Sequence, residues 1–151
     1  MNNLDFIHYG HNEFDKKLFN KIENRKFFTK PTGGFWACRK DCEYGWKQWC
    51  KDNDYSHADM NTKFEFNIKN DSKILTICHH RILKILPQTD YLFNIKPSYI
   101  DCVYLDFEKL SRVYDGIEVI TSADNRLYWN LYGWDCDSIL IMNNKIINLE
   151  E

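Results

Sequence analysis

Between Lys63 and Lys69 the chain alternates strictly, with Phe64, Phe66 and Ile68 on one side and Lys63, Glu65 and Asn67 on the other. A period of two with one polar side predicts a half-buried strand. Shorter apolar runs predict further strands at 4–9, 35–38, 74–78, 117–121, 127–131 and 146–149, and the run Ser-Ile-Leu-Ile-Met at 138–142 predicts a central one. Helical spacing takes over elsewhere. Cys42, Trp46, Trp49 and Cys50 fall at i, i+4, i+7 and i+8, which predicts a helix over 41–52 with Asp41 as its N-cap. Phe14, Leu18, Phe19 and Ile22 predict a short helix over 13–22, and Phe107, Leu110, Val113 and Tyr114 another over 104–114. A third short helix, 79–86, is stopped by Pro87, and 87–97 reads as an irregular connection. Helices and strands alternate without a regular βαβ period, so the expected class is α+β, one domain over 1–151 with a mostly antiparallel sheet.

Two glycines open the strand at 35–38. A glycine pair at a strand entrance predicts close approach to the backbone, by a ligand or by a neighbouring strand. Gly10 closes the first strand in the same way, directly after His8 and Tyr9.

Composition narrows the function classes. The chain has 151 residues, 16% of them aromatic, enough for one real core with rings left over for a pocket wall. A net charge of -2 with interspersed signs supplies no polybasic footprint, so nucleic acid is not expected as a partner. No run approaches the roughly 18 apolar residues of a membrane span, and the polar start MNNLDF does not read as a secretory signal; a cytoplasmic location is expected. Six cysteines invite a disulfide framework or zinc. Without a secretory context the first is disfavoured. Cys42 and Cys50, eight helical residues apart, would stand about 12 Å from each other, too far for one tetrahedral zinc. All six are therefore expected to be small buried hydrophobes, and no metal is expected.

The candidate chemistry is dispersed. His8 sits at a strand end beside Gly10, where a polar contact to a small molecule would lie. Glu118 alternates with Ile117 and Val119, so it faces away from their side of the strand. Asp135 and Asp137, spaced i, i+2 at the entrance to 138–142, would point the same way in extended chain. No phosphate loop, HExxH, GxSxG or CxxC motif is present.

The order of these pieces carries a resemblance. A first strand ending His8-Tyr9-Gly10, then Gly33-Gly34-Phe35-Trp36-Ala37-Cys38 followed by a helix, then Tyr114-Asp115-Gly116-Ile117-Glu118-Val119 and the strand at 138–142, resembles the minimal ADP-ribosyltransferase fold. Lys30 to Ala37, Tyr44 to Cys50 and Leu131 to Ser138 are also similar to stretches of a group of small uncharacterised proteins of bacteriophages and low-GC bacteria. The first resemblance implies a split sheet with short flanking helices and NAD, as substrate, in the cleft. It implies that His8 contacts the nicotinamide-side ribose, that Trp36 or Tyr44 stacks on the ring, and that Tyr9, Gly10, Gly34 and Asp135 complete the binding wall. It also implies a late carboxylate that stabilises the oxocarbenium-like transition state as nicotinamide leaves. The family's acid is usually a Glu opening a late strand, where this chain has Asp137 and Ser138. Glu118 is the preferred acid and Asp137 the reserve. The Ser-Thr-Ser signature is missing.

Two functions follow as expectations. One is an NAD-dependent ADP-ribosyltransferase or NAD glycohydrolase, of the toxin, phage-effector or anti-defence type, acting on a macromolecule of the host cytoplasm. The other is a non-enzymatic protein on the same fold that inhibits a host or defence protein by forming a stoichiometric complex.

Overall fold

The computed structural model describes residues 5–89 and 102–149. Most of the connection expected at 87–97 lies outside them, as does Leu4 of the first expected strand.

The architecture is mixed α and β, built on a seven-stranded sheet with short helices. Its strands are β1 (Phe6–Tyr9), β2 (Phe35–Arg39), β3 (Lys63–Ile68), β4 (Ile74–Ile77), β5 (Gly116–Val119), β6 (Ser138–Ile141) and β7 (Ile147–Asn148), in the order β4-β5-β6-β2-β1-β3-β7. Every neighbouring pair is antiparallel except β4 and β5. The middle strand of the seven is β2; beside it β6 is an interior strand whose Ile139, Leu140 and Ile141 are fully buried between β5 and β2. Its all-apolar run is what a strand covered on both faces requires.

One face carries Phe6, Phe66, Ala37, Ile139 and Ile141, with Phe35 and Phe64 packed beside them. On the other, Ile117, Val119, Leu140 and Ile77 meet Leu83, Phe107, Leu127, Leu131 and Trp134. A smaller third cluster gathers Ile7, Cys38 and Cys136 under Tyr9, Trp46 and Trp49.

The sheet is interrupted at one place. β1 and β2 pair through Phe6 and Ile7 only, whereas β1 stays paired with β3 as far as Tyr9. Beyond Ile7 the His8 ring intervenes, and its Nδ1 bonds the Trp36 carbonyl at 2.7 Å. The two strands part there like the prongs of a fork.

Several helices are shorter than their periodicity predicts. The second one, α1, runs only over Trp46–Asp52, with Gly45 and not Asp41 at its N-cap. Residues 41–45 are spent on a turn that carries Tyr44 across to Asp137, so Cys42 lies outside the helix. Over 13–22 only Lys16–Leu18 is helical, as one 3-10 turn, and Leu18 is exposed. Over 104–114 the α-helix is α2 (Phe107–Leu110), capped by Asp106. The predicted strand at 127–131 is instead helix α3 (Asn125–Asn130). Asp124 caps it by accepting from Arg126 N, and Leu127 and Leu131, four apart, are both buried; that spacing marks a helical face. At the end of the chain Ile146 closes a 3-10 turn, leaving a two-residue β7 on the β3 edge. The cysteines also divide: Cys38, Cys50 and Cys136 are buried, Cys42 and Cys102 half-buried, and Cys78 exposed, against the expectation that all six are core.

Candidate functional site

A cavity of about 280 Å³ opens in the fork between β1 and β2. Ile7, His8 and Tyr9 form one prong, and Trp36, Ala37 and Cys38 the other. Lys30, Trp46, Asp135, Cys136 and Ser138 complete the wall. Trp36 is held by an edge-on contact with the buried Trp134, at 4.6 Å and 70°. Trp134 in turn donates from Nε1 to the Thr29 carbonyl at 3.4 Å, tying the 29–30 turn to the same corner. The turn delivers Lys30, whose Nζ stands 5.1 Å over the Trp36 ring and 4.0 Å from Asp135 Oδ2.

The electrostatics follow from this partial burial. Desolvation pushes the Asp135 carboxyl above the usual range, against the pull of Lys30. Desolvation likewise lowers the Lys30 ammonium, against the pull of Asp135. Each is the partner the other needs in a drier place. The Cys38 thiol is pushed up to about 12, chiefly by its hydrogen bond with Cys136, so it is neutral wall at physiological pH. Burial lowers the His8 pKa, opposed by the Trp36 carbonyl and assisted by His11. The imidazole is therefore neutral at pH 7, stacked on Phe35 at 4.3 Å and linked through Nε2 to His11 Nδ1 at 2.9 Å.

A broader groove of about 1160 Å³ lies beside the cavity, and the two share Ile7, Tyr9, Cys38 and Trp46 as wall residues. Arg39, Lys40, Lys47 and Lys51 line that groove with Glu43 and Asp54. Arg39 is paired with Glu118 and Lys40 with Glu65, which leaves Lys47 and Lys51 as its cations without a paired acid in contact among the described residues. Trp46 and Trp49 stack at 5.1 Å and 8° beside Tyr55.

No family model matches the chain, and no curated protein or solved structure is significantly similar to it. The site therefore stands on its geometry.

Of the residues singled out in the sequence, His8, Tyr9, Trp36 and Asp135 meet in this cavity. Glu118 and Asp137 do not line it. Glu118 sits across from Ile139, which sits across from Ala37; two strand spacings put its Cα about 10 Å from that of Ala37. Its carboxylate is buried against Arg39, with Arg39 Nε at 2.5 Å from Oε1. Asp137 is a buried anchor: its carboxylate accepts from Tyr44 N, Thr121 Oγ1, Ser122 N and Ser122 Oγ, at 2.6 to 3.2 Å. Neither carboxylate has the exposure a substrate contact needs. Tyr44 turns outward, donating its hydroxyl to Asp52 at 3.0 Å. Gly10 donates its N–H to Thr62. At Gly34 (φ +71°) an added Cβ would lie 2.6 Å from Leu140 Cδ1 and 2.9 Å from Ile141 O, so the close neighbour is β6 and not a ligand.

Lys30, Trp46 and the groove lysines were not anticipated as site residues. Lys30 carries a local hint, since it precedes Pro31 in a glycine-rich turn, but its partner Asp135 lies more than a hundred positions away. Among the described residues, His79, His80 and Asp124 are the group whose ligand atoms lie within 4.8 Å of one another, as a metal would require. The Asp124 carboxylate there already accepts from His80 N, His80 Nδ1 and Arg126 N. No described helix is long and apolar enough to cross a membrane.

Proposed function

We propose that the chain binds NAD, with the nicotinamide ring in the fork cavity and the pyrophosphate and adenosine along the neighbouring groove, and that it breaks the nicotinamide–ribose bond. The observation that carries this reading is a pair of neighbouring spaces with shared wall residues: an indole-walled, partly dry cavity and, beside it, a groove that offers Lys47 and Lys51. A planar heteroaromatic ring suits the first, and a dianionic linker suits the second. The resemblance to ADP-ribosyltransferases supports the same ligand.

The chemistry then falls to Asp135, the one carboxylate in the cavity wall. As the C1′–N bond breaks, the electron pair leaves with nicotinamide and positive charge develops on the ribose. An ionised carboxylate in a water-poor site stabilises that charge. Lys30 opposes the desolvation that raises the Asp135 carboxyl and so favours its ionised form. Water or a macromolecular nucleophile then adds at C1′ and loses its proton. Neutral His8, with Nδ1 on the Trp36 carbonyl and Nε2 on His11, shapes the rim against which the ribose lies.

The test is to add NAD to the purified protein and follow both melting temperature and free nicotinamide. Ligand at about 100 times its Kd should stabilise by about 2.7 kcal/mol. Trp36→Ala should lose that shift, and Asp135→Asn should keep binding while losing nicotinamide release. No shift at millimolar NAD and no nicotinamide would end the proposal.

A second reading, a non-enzymatic inhibitor acting by stoichiometric complex, is favoured by one observation: both acids expected to be catalytic, Glu118 and Asp137, are occupied by structural partners. Its signature is a stable complex unaffected by NAD or by Asp135→Asn.

A further inference from the structure

We propose that a second surface, formed by residues 25–30 together with the end of α3 and the turn after it, binds single-stranded nucleic acid. Four large rings face solvent there: Phe27 (47% exposed), Phe28 (54%), Trp129 (57%) and Tyr132 (60%). The two segments are fastened side by side, Thr29 Oγ1 donating to the Tyr132 carbonyl and Trp134 Nε1 to the Thr29 carbonyl. Phe27 has φ +68°, a conformation bulky residues rarely adopt. A backbone held in that state to set a phenyl ring into water, when the core is elsewhere, points to a use for the ring.

The cations identify the partner. The Arg25 guanidinium lies 3.7 Å over the Phe28 ring and Lys26 Nζ 5.2 Å from the centre of Phe27. A single strand supplies what both groups want, bases to stack on the rings and phosphates for the cations. Trp129 and Tyr132 lie nearly parallel, 12° apart in plane with centroids at 6.4 Å, and both remain open to a stacking base. Lys30 belongs to the same loop and to the cavity wall, so a bound strand would lie beside the fork.

Fluorescence anisotropy with labelled dT and rU oligomers of about 15 nucleotides tests this directly. Saturable binding should appear at about 50 mM salt and weaken by about 200 mM. The double variants Phe27→Ala/Phe28→Ala and Trp129→Ala/Tyr132→Ala should each weaken it about tenfold or more, because the bases no longer have rings to stack on. Arg25→Ala/Lys26→Ala should flatten the salt dependence by about 1.4 in log–log slope, about 0.7 for each phosphate no longer neutralised. Duplex of equal length should bind less well. Thermal unfolding, unchanged in all three variants, distinguishes an altered binding surface from an unfolded protein. Absence of saturable binding to both oligomers overturns the proposal, as does binding that all three variants retain. Loss of a stoichiometric protein complex in these variants, with no oligonucleotide binding by wild type, would make the surface a protein-docking face and overturn it equally. NAD binding is measured separately and bears on neither outcome.

Discussion

The two sides of β2 put their polar groups to opposite uses. Toward β6 and β5 the strands run in unbroken register, and the carboxylates there are closed off: Glu118 against Arg39, and Asp137 among Tyr44, Thr121 and Ser122. Toward β1 the pairing ends at Ile7, and a histidine ring takes over one backbone carbonyl. A paired ladder satisfies its own backbone and leaves little volume; a fork leaves volume and requires side chains to finish the hydrogen bonding. In this protein buried charge marks where structure is held, and the half-dry Lys30–Asp135 pair marks where a ligand can enter.

The contrast breaks first at Asp137. Removing its carboxylate leaves the hydroxyls of Thr121 and Ser122 and two backbone N–H groups without their acceptor. Asp137→Ala should cost about 3–5 kcal/mol in denaturant unfolding, while molecules that remain folded still bind NAD. A loss under about 1 kcal/mol would show that the anchor is not structural. Arg39→Ala comes next. It strands a buried carboxylate, but Arg39 is itself 42% exposed and water reaches the pair, so about 2 kcal/mol is expected, not the full cost of a buried break. The companion Glu118→Gln/Arg39→Gln should recover part of it, because the charge is then gone from both sides.

These two residues also show where sequence reasoning stops. Alternation correctly set Glu118 apart from Ile117 and Val119, but the face it occupies holds Arg39, two strands away, and no local pattern announces that pairing. For Asp135 and Asp137 the i, i+2 rule failed because residues 135–137 are not yet strand: β6 begins at Ser138, and the bends before it send one carboxylate to the cavity and the other to the core. His8, Tyr9 and Trp36 were legible because each sits within two residues of a glycine that ends or opens a strand. Leu127 and Leu131 were misread because a five-residue apolar-polar run fits both periods, and the deciding cue was the cap at Asp124.

Asp135→Asn sharpens the comparison from the other side. Its one charged partner is 4.0 Å away and its own carboxyl is partly exposed, so stability should change by less than about 1 kcal/mol. Function should change far more. If NAD is cleaved, nicotinamide release should disappear, and in the wild type the acid limb of turnover should lie above the ordinary aspartate range, because burial raises this group. An unaltered turnover in the asparagine variant removes Asp135 from the chemistry.

The smallest effect should come from His8, and it has a definite sign. Burial lowers its folded pKa below the ordinary 6.5, so between the two values the unfolded chain binds the proton more readily than the native protein. Stability from this group is complete above about pH 6.5, falls as pH drops from there to the folded pKa, and changes no further below it. The depressed carboxylates act in a separate window. Asp115, held down chiefly by the Lys73 N–H, and Asp124, held down chiefly by the His80 N–H, lose their contribution only below about pH 4. Melting temperature against pH should therefore fall in two stages, the first of them near neutrality. His8→Gln can still donate to the Trp36 carbonyl but cannot titrate, and it should erase the first stage while leaving the second. A first stage that survives in this variant would mean that the imidazole in the fork is not the group that charges there, and that the strands are held apart by something other than its neutral ring.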